Sequence, residues 1–353
     1  MKARAVSRQP ERSRSRAPGV DAESLEPSRT VLTVKDLTVD LLVTGNYLPA
    51  VRGVSFELGR GRTLGIVGES GSGKSVTARA ITGLLPRKRS VLSGSVAIEG
   101  HDVLHADEET RRRYRGSKIG IVFQDPTRAL NPTMRVGEQI VEAIRTHQQL
   151  GRSEARGQAL ELLNMVGIPA ARERYRSYPN ELSGGMRQRV TIAIAISCRP
   201  SILIADEPTT ALDVTTQLQI MELIQRLQDE LEMSVVLITH DISLAAKFVD
   251  EIAVMYAGKI VERGPVTTVL SNIQMPYTHG LLESMPGPEV APHSRLHTLS
   301  GQPPDPRDLP QGCPFAVRCA WARDRCRESE PSLHGTASQH AWACWFPLGR
   351  VED

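Results

Sequence analysis

The chain has 353 residues, a formal net charge of +3 and an apolar fraction of 40%, which is enough for one large domain or two smaller ones with a real core. The small net charge does not by itself argue for nucleic-acid binding, and the absence of any run of about 18 apolar residues predicts no membrane-spanning segment. Four of the five cysteines lie beyond residue 312, a distribution that excludes a secreted disulfide scaffold.

Residues 1–30 are predicted to be a disordered basic head. Residues 1–16 contain six Lys or Arg against one acidic residue, and the segment lacks the apolar core of a secretory signal peptide. A solvated tail is the simpler interpretation of this composition, and contact with a membrane surface is the alternative.

The next hundred residues alternate strand patterns with one helical pattern. Apolar and polar residues alternate in the first two strands, whereas the third is continuously apolar, as in a buried parallel sheet. The patterns predict half-buried antiparallel strands over 31–43 and 51–59, a buried strand over 63–68, a helix over 75–85, an edge strand over 93–100 and a core strand over 118–124.

Residues from about 125 to 180 differ in character, since they are polar and helix-forming, with helical apolar spacing at 133–178; they predict a helical insertion. Beyond it the patterns predict a helix over 183–198, a strand over 201–206, a helix over 214–232, a strand over 234–240, a helix over 242–249 and a hairpin over 251–264 that turns on Ala257-Gly258. Strands alternating with helices predict an α/β domain over 31–285 with a mostly parallel sheet. Residues 286–353 are predicted to be a proline-rich linker and a small extension that contains the cysteine cluster.

The sequence GESGSGKS matches the phosphate-loop pattern G-x-x-x-x-G-K-[ST], with an apolar strand before it and a helix after it. Glycines let backbone N–H groups converge on phosphate oxygens, and the following helix adds its positive end. Lys74 is predicted to reach the β- and γ-phosphates of a nucleotide, and the Ser75 hydroxyl to ligate Mg²⁺. The alternative, a chance glycine-rich turn, fits this context poorly. The predicted nucleotide-binding residues here are Gly68, Glu69, Ser70, Gly71, Ser72, Gly73, Lys74, Ser75 and Val76.

Polar side chains end three of the predicted core strands. Asp206 can hold Mg²⁺, and Glu207, one residue further, can orient and deprotonate an attacking water. Gln124 can contact Mg²⁺ or that water, and His240 can contact the γ-phosphate. A structural role is the alternative for each residue taken singly, and only their order along the chain favours catalysis.

A second anion-binding turn, LSGGMRQRV at 182–190, lies more than a hundred residues from the first. Ser183, Gly184 and Gly185 would open a helix with backbone N–H groups directed at an anion. The ordered set of motifs resembles the ATP-binding cassette family of transporter ATPases over residues 31 to about 285. That resemblance implies a head-to-tail dimer in which the signature turn of one subunit closes on the ATP held by the phosphate loop of the other. It also implies that Asp213 signals across the interface, and that an aromatic residue stacks on adenine. Tyr47 is the nearest candidate, although its spacing fits poorly and a strand-edge role is the alternative.

Four further stretches, including FQDPTRALNPTMRVGEQI and MPYTHGLLESMP, resemble the oligopeptide and dipeptide importer ATPases, as does the tail GCPFAVRCAWARDRCRESEP. The resemblance implies a peripheral subunit at the cytoplasmic face of the cell membrane. Its implied partners are two transmembrane permease subunits, a second ATPase subunit and an extracytoplasmic substrate-binding protein, with no nucleic acid. Importers for nickel, glutathione and metal chelators belong to the same branch, and the sequence does not separate those cargoes.

Two other functions remain open at this point. A soluble cassette ATPase acting on nucleic acid or ribosomes usually has two cassettes or long coiled coils, and the sequence shows one cassette and no sustained heptads. A cassette half of an exporter usually carries fused membrane helices.

The tail thiols Cys313, Cys319, Cys326 and Cys344 could ligate a four-iron four-sulfur cluster or zinc, or remain unligated or form disulfides. Their irregular spacing fits no zinc pattern, and some members of the resembling subfamily carry a four-iron cluster on such a tail. We expect the tail to supply none of the groups of the nucleotide site, and Cys198 to be a small core residue.

Overall fold

The computed structural model describes residues 30–210, 212–284, 299–335 and 339–349. The predicted disordered head, apart from Thr30, and the first part of the predicted linker lie outside the described residues.

The strands of the described residues form two sheets. Each predicted strand is present, within a few residues of the predicted bounds. The strands are β1 (Thr30–Val43), β2 (Asn46–Gly59), β3 (Thr63–Val67), β4 (Ser90–Ile98), β5 (His101–Asp102), β6 (Ile119–Val122), β7 (Ile202–Asp206), β8 (Ser234–Thr239), β9 (Glu251–Tyr256), β10 (Lys259–Pro265), β11 (His334–Gly335) and β12 (Ala341–Trp342).

The helices of the same residues include long core helices and several single turns. They are α1 (Lys74–Ile81), α2 (Glu108–Ser117), α3 (Pro126–Ala129), α4 (Val136–His147), α5 (Arg152–Met165), α6 (Ala171–Arg174), α7 (Gly184–Ala195), α8 (Val214–Leu231), α9 (Ile242–Ala245), α10 (Val266–Ser271), α11 (Pro276–Glu283) and α12 (Asp324–Glu328). Among the described residues, none of these helices has the length and apolar character needed to cross a membrane.

The larger sheet has the strand order β11-β12-β10-β9-β3-β8-β7-β6. Its five strands from β9 to β6 are parallel, and β10 and β12 continue it in antiparallel pairing. Strands β3, β7 and β8 are buried along their whole length, which explains why their sequences are continuously apolar. The carboxyl ends of β3, β7 and β8 meet at one edge, and the residues that follow them form the candidate site.

The smaller sheet is antiparallel, with the order β2-β1-β4-β5. Its inward residues pack with the core sheet in one hydrophobic cluster, which includes Leu37, Val39, Phe56 and Ile66. The prediction of β4 as an edge strand is wrong, because the two residues of β5 pair with its outer side. The predicted hairpin is confirmed: β9 and β10 are joined at Ala257 and Gly258, both in the left-handed region.

Helices α3 to α6 occupy the stretch interpreted as a helical insertion. The apolar faces of α4 and α5 join the main core, with Ile140, Ile144 and Leu163 fully buried. The Tyr175 hydroxyl donates to Glu138 at 2.9 Å and fixes the end of α6 against α4. Residues of α4 and α5 share this core with residues of the signature helix α7, so the insertion packs against that helix.

The C-terminal extension is packed onto the cassette. Strand β12 pairs with β10, and the buried His340 imidazole lies 2.9 Å from the buried Glu262 carboxylate. Phe315 joins an aromatic cluster with Tyr256 and Tyr277, at centroid distances of 4.5–5.4 Å. Described residues of the extension, such as Phe315 and Ala343, therefore share a core with the cassette.

Candidate functional site

The phosphate loop joins the end of β3 to the start of α1. Its backbone requires glycine at two positions, Gly68 with φ +155° and Gly73 with φ +104°. A Cβ at Gly68 would lie 2.2 Å from the Met255 carbonyl oxygen, and one at Gly73 would lie 2.5 Å from that of Ala50. The backbone of the loop therefore requires glycine at both positions, as the phosphate-loop pattern predicts.

Lys74 begins α1 inside this loop and is 4% exposed. Its ammonium group donates to the carbonyl oxygens of Gly68 at 2.7 Å and Glu69 at 2.8 Å. Burial lowers its pKa, while the nearby carboxylates of Glu207 and Asp206 oppose that shift. A buried cation that is hydrogen-bonded to backbone carbonyl oxygens of the loop is suited to binding the β- and γ-phosphates of a nucleotide.

The Ser75 hydroxyl donates to the Asp206 carboxylate at 2.8 Å, so the structure joins the two residues that were predicted to hold Mg²⁺. Asp206 ends β7 and is 2% exposed, and burial raises its pKa. The pair offers hard oxygen donors and fits Mg²⁺, which takes its remaining ligands from water and phosphate. When bound, this ion neutralises charge on the phosphate oxygens.

Glu207 follows Asp206 in a left-handed conformation, φ +46°, an uncommon one for a non-glycine residue. Its Oε2 accepts hydrogen bonds from the Gln124 amide at 2.7 Å and the Thr210 hydroxyl at 2.9 Å, and lies 3.5 Å from His240 Nδ1. The structure thus brings together all three predicted catalytic side chains. Thr210 was missed, although a hydroxyl three residues after Glu207, at the end of the stretch DEPTT, was a usable signal.

The Glu207 and His240 side chains influence each other's protonation. The contact with His240 holds the pKa of Glu207 below its usual range, and the contact with Glu207 raises the pKa of His240. The carboxylate is therefore ionised at neutral pH and can accept a proton from a water molecule beside it. Its left-handed backbone directs the carboxylate across the carboxyl ends of β6 and β8.

A cavity extends along the phosphate loop. Its lining combines the polar side chains of Glu207 and Gln124 with apolar residues of the small sheet, a mixture suited to a triphosphate and a base. The cavity is also lined by Pro303, Pro304, Pro306 and Leu309 from the predicted proline-rich linker, while the prediction that the cysteine-containing tail supplies no groups to this site stays a prediction. The residues outside the phosphate loop are Leu41, Val43, Leu48, Pro49, Ala50, Gln124, Glu207, Tyr256, Ala257, Gly258, Pro303, Pro304, Pro306 and Leu309.

Tyr47, the candidate for stacking on adenine, lies in β2 and is 55% exposed. It pairs with Leu42 across the small sheet. The cavity lining found among the described residues includes its neighbours Leu48 and Pro49 but not Tyr47. Its role in adenine binding stays a prediction.

The signature turn lies elsewhere on the same chain. Ser183 caps α7, and its hydroxyl accepts from the Met186 N–H at 3.3 Å. Ser183 and Gly184 are exposed, and an added Cβ at Gly184 would meet only Leu212, at 3.5 Å. Within the part of the chain that the structure describes, the lining of the phosphate cavity includes none of Ser183, Gly184 and Gly185.

Asp213 caps α8 next to the signature turn. Its carboxylate accepts from the Thr216 N–H at 2.9 Å and the Thr216 hydroxyl at 2.7 Å, and these bonds lower its pKa. Thr216 also lies under Gly185, where an added Cβ would come within 2.9 Å of its methyl group. The signature turn and Asp213 therefore form one exposed surface, linked through Thr216.

The four tail cysteines line one small, mostly apolar cavity, together with Phe315, Trp321, Trp345 and Phe346. All are free thiols, as is Cys198. Burial raises the pKa of Cys313 and of Cys344 to about 11, with smaller contributions from the other tail thiols. In the described ranges, no group of three or more His, Cys, Asp or Glu side chains is arranged to hold a single metal ion.

Comparisons with known proteins agree with this geometry. Residues 51–210 match the ABC transporter family, and residues 261–326 match the oligopeptide/dipeptide transporter C-terminal region. Among the similar solved structures, a dimeric ATP-binding cassette in a post-hydrolysis state bound to ADP and Pi is 31% identical, with a TM-score of 0.60, over 67% of this chain and 98% of that one. The structure of cbiO1 from Clostridium perfringens, part of the ABC transporter complex cbiONQ, is 28% identical, with a TM-score of 0.59, over 69% of this chain and 91% of that one.

Two curated relatives from Bacillus subtilis extend the match into the C-terminal extension. The oligopeptide transport ATP-binding protein OppD is 45% identical over 90% of this chain and 88% of its own length. The dipeptide transport ATP-binding protein DppD is also 45% identical, over 91% of this chain and 96% of its own length. These relatives do not favour the alternative of a cassette that acts on nucleic acid. The chain is an ABC-type ATPase and belongs to the family of oligopeptide and dipeptide transport ATP-binding proteins.

Proposed function

We propose that this ATPase powers the import of dipeptides or oligopeptides through two separate permease subunits, at the cytoplasmic face of the cell membrane. The observation that carries the proposal is the similarity to OppD and DppD over about nine-tenths of the chain, which continues through the C-terminal region as well as the cassette. In this arrangement a second ATPase subunit completes the motor, and an extracytoplasmic binding protein delivers the peptide.

The placement of the signature turn supports a two-subunit nucleotide site. Ser183 and Gly184 are exposed and, among the described residues, are not part of the lining of the cavity in their own chain, so the start of α7 is accessible to the γ-phosphate held by a partner cassette. ATP then bridges the phosphate loop of one subunit and the signature turn of its partner. Hydrolysis of its terminal phosphate removes part of this contact between the subunits. Asp213, on the same surface as the turn, is positioned to respond to the partner.

The catalytic step follows from the contacts of Glu207. The carboxylate is ionised, and Gln124 and Thr210 orient it by donating to the same oxygen. It accepts a proton from water as the water attacks the γ-phosphorus and the bond from that phosphorus to the β–γ bridging oxygen breaks, which releases ADP and phosphate. Lys74 and His240 balance charge on the phosphate oxygens. Ser75 and Asp206 would hold Mg²⁺, which would neutralise charge on the phosphate oxygens.

The transport proposal is tested by reconstituting the chain with its two permeases and its second ATPase subunit in lipid vesicles. Peptide presented with the binding protein should stimulate ATP hydrolysis and accumulate in the vesicle, and both effects should disappear with the Glu207→Gln variant. Uptake of nickel, glutathione or a metal chelator in place of any peptide would refute peptide import while leaving the ATPase assignment intact.

We further propose that Cys313, Cys319, Cys326 and Cys344 hold a four-iron four-sulfur cluster. Four thiols facing one cavity are a suitable donor set, and the aromatic side chains around it would exclude water. The raised thiol pKa values mean that thiolates in this apolar site need a cation to compensate their charge. Bound there, the cluster would cross-link the four cysteine positions and so stabilise the fold of the extension.

Anaerobic purification tests the cluster. The protein should be brown and contain about four irons per chain, and Cys319→Ser should lose iron and colour. The Cys198→Ser variant is the matched control, since Cys198 lies in the cassette, and it should keep both. Zinc in place of iron would reassign the site, and a colourless metal-free protein with alkylatable tail thiols would overturn the proposal.

A further inference from the structure

An ion pair joins the C-terminal extension to the phosphate loop. The Arg318 guanidinium donates to both carboxylate oxygens of Glu69, at 2.6 and 2.8 Å, and its side chain is 3% exposed. The two residues are 249 positions apart in the sequence. Bidentate pairing of this kind fixes orientation as well as distance, so the position of Arg318 determines that of the Glu69 side chain.

Arg318 is itself held by groups from several parts of the fold. Its Nε donates to the Ser300 carbonyl at 2.9 Å, and its Nη1 lies 3.3 Å from the Tyr256 hydroxyl. The guanidinium lies near the rings of Tyr256 and Phe315, 5.9 and 5.8 Å from their centroids. A buried arginine with this many contacts has little freedom to move independently of the extension.

Glu69 occupies a sensitive place in the phosphate loop. Its carbonyl oxygen accepts from the Lys74 ammonium at 2.8 Å, and its N–H donates to the Tyr277 hydroxyl at 2.8 Å. Glu69 also lines the phosphate cavity. A displacement of its backbone would therefore move a hydrogen-bond partner of the lysine that binds phosphate.

We propose that Arg318 is a positioning residue for the phosphate loop, through which the C-terminal extension sets the affinity of the cassette for ATP. The extension has a second route to the same cavity, because Pro303, Pro304 and Leu309 lie along its wall. The proposal depends only on ATP binding, so it stands or falls separately from peptide import and from the cluster.

The test compares Arg318→Ala, Glu69→Ala and the double variant with the wild-type chain. We expect each single variant to raise the Kd for Mg·ATP about tenfold, and KM in parallel, while kcat of Arg318→Ala stays within about twofold of the wild-type value. Because both changes remove one interaction, the double variant should bind ATP no more weakly than either single variant. Arg318→Lys keeps the charge but not the bidentate contact, so its Kd for Mg·ATP should lie between those of the wild type and Arg318→Ala.

Arg327→Ala is the matched control. Arg327 belongs to the same extension, but its side chain is 64% exposed and its ion pair with Asp324 is on the surface. Its Kd and KM should equal those of the wild type.

Two results would overturn the proposal: wild-type Kd and KM in a folded Arg318→Ala protein, or additive losses in the double variant. If Arg318→Ala does not fold, Glu69→Gln gives the same readout with an unchanged extension, and wild-type affinity there would be equally decisive. Iron content, measured in every variant, separates an effect on the phosphate loop from the loss of a cluster beside Cys319.

Discussion

Replacing Glu207 with glutamine removes a proton acceptor while keeping the shape of the side chain. In the structure one carboxylate oxygen accepts from both Gln124 and Thr210, and a glutamine amide oxygen in the same place can accept both bonds. The substitution therefore exchanges charge-assisted hydrogen bonds for neutral ones, at a cost of about 1 kcal/mol in stability. The fold and the phosphate loop should survive this change.

Catalysis should suffer far more. A positioned general base contributes roughly 10²- to 10⁴-fold, which corresponds to about 2.7–5.4 kcal/mol in the activation free energy. We expect kcat for ATP hydrolysis to fall by at least about 10²-fold, with little change in the Kd for ATP. Because hydrolysis no longer separates the subunits, the variant should accumulate as an ATP-bound dimer.

Phosphate release at saturating ATP measures kcat, and calorimetry measures the Kd for ATP. Size-exclusion chromatography detects the ATP-bound dimer. Glu222→Gln, an exposed substitution on α8, serves as the matched control and should leave all three unchanged. A folded Glu207→Gln protein with a kcat near that of the wild type would refute the assignment of Glu207 as the base.

Three further outcomes follow from the site. Lys74→Ala should weaken ATP binding itself, measured by calorimetry, since a buried cation–phosphate contact is lost; unchanged affinity would contradict the phosphate-loop assignment. Gly184→Asp should leave ATP binding by the monomer intact, because the new side chain has room in its own chain, yet it should prevent the closed dimer with a Glu207→Gln partner; a dimer containing two ATP molecules would exclude the two-subunit site. In Glu207→Gln, the pKa of His240 should fall, because its largest raising contact is removed; histidine NMR titration checks this. In the wild type, the stabilisation that this pair gives is lost as pH rises through the raised pKa of His240 and also as pH falls through the lowered pKa of Glu207.

The strands and the catalytic motifs could be predicted because their signals are local. The continuous apolar runs of β3, β7 and β8 reflect burial on both faces of a parallel sheet, and residues at their carboxyl ends must meet. The glycines of the phosphate loop are likewise required by local backbone geometry. The hairpin at Ala257-Gly258 was predicted for the same reason.

Contacts across long sequence separations could not be predicted in this way. An arginine that pairs with Glu69 from 249 residues away leaves no periodicity and no spacing near either residue. The same is true of the prolines that line the cavity, whose composition indicated only a loose linker. Tyr47 was proposed from family resemblance rather than from a local pattern, and the cavity lining among the described residues includes its neighbours Leu48 and Pro49 but not Tyr47 itself.

The short strand β12 has a consequence for the solubility of the cassette. Without the extension, β10 would be the last strand of the sheet, with unpaired backbone groups open to any other strand, which is a known route to aggregation. Glu262, which is fully buried on β10 and accepts from the Gln274 N–H at 2.7 Å, would also lose the imidazole of His340. A shortened chain that ends at α11 should therefore self-associate through β10. The residues of β12 thus protect the sheet edge against aggregation, whether or not the protein is engaged in transport.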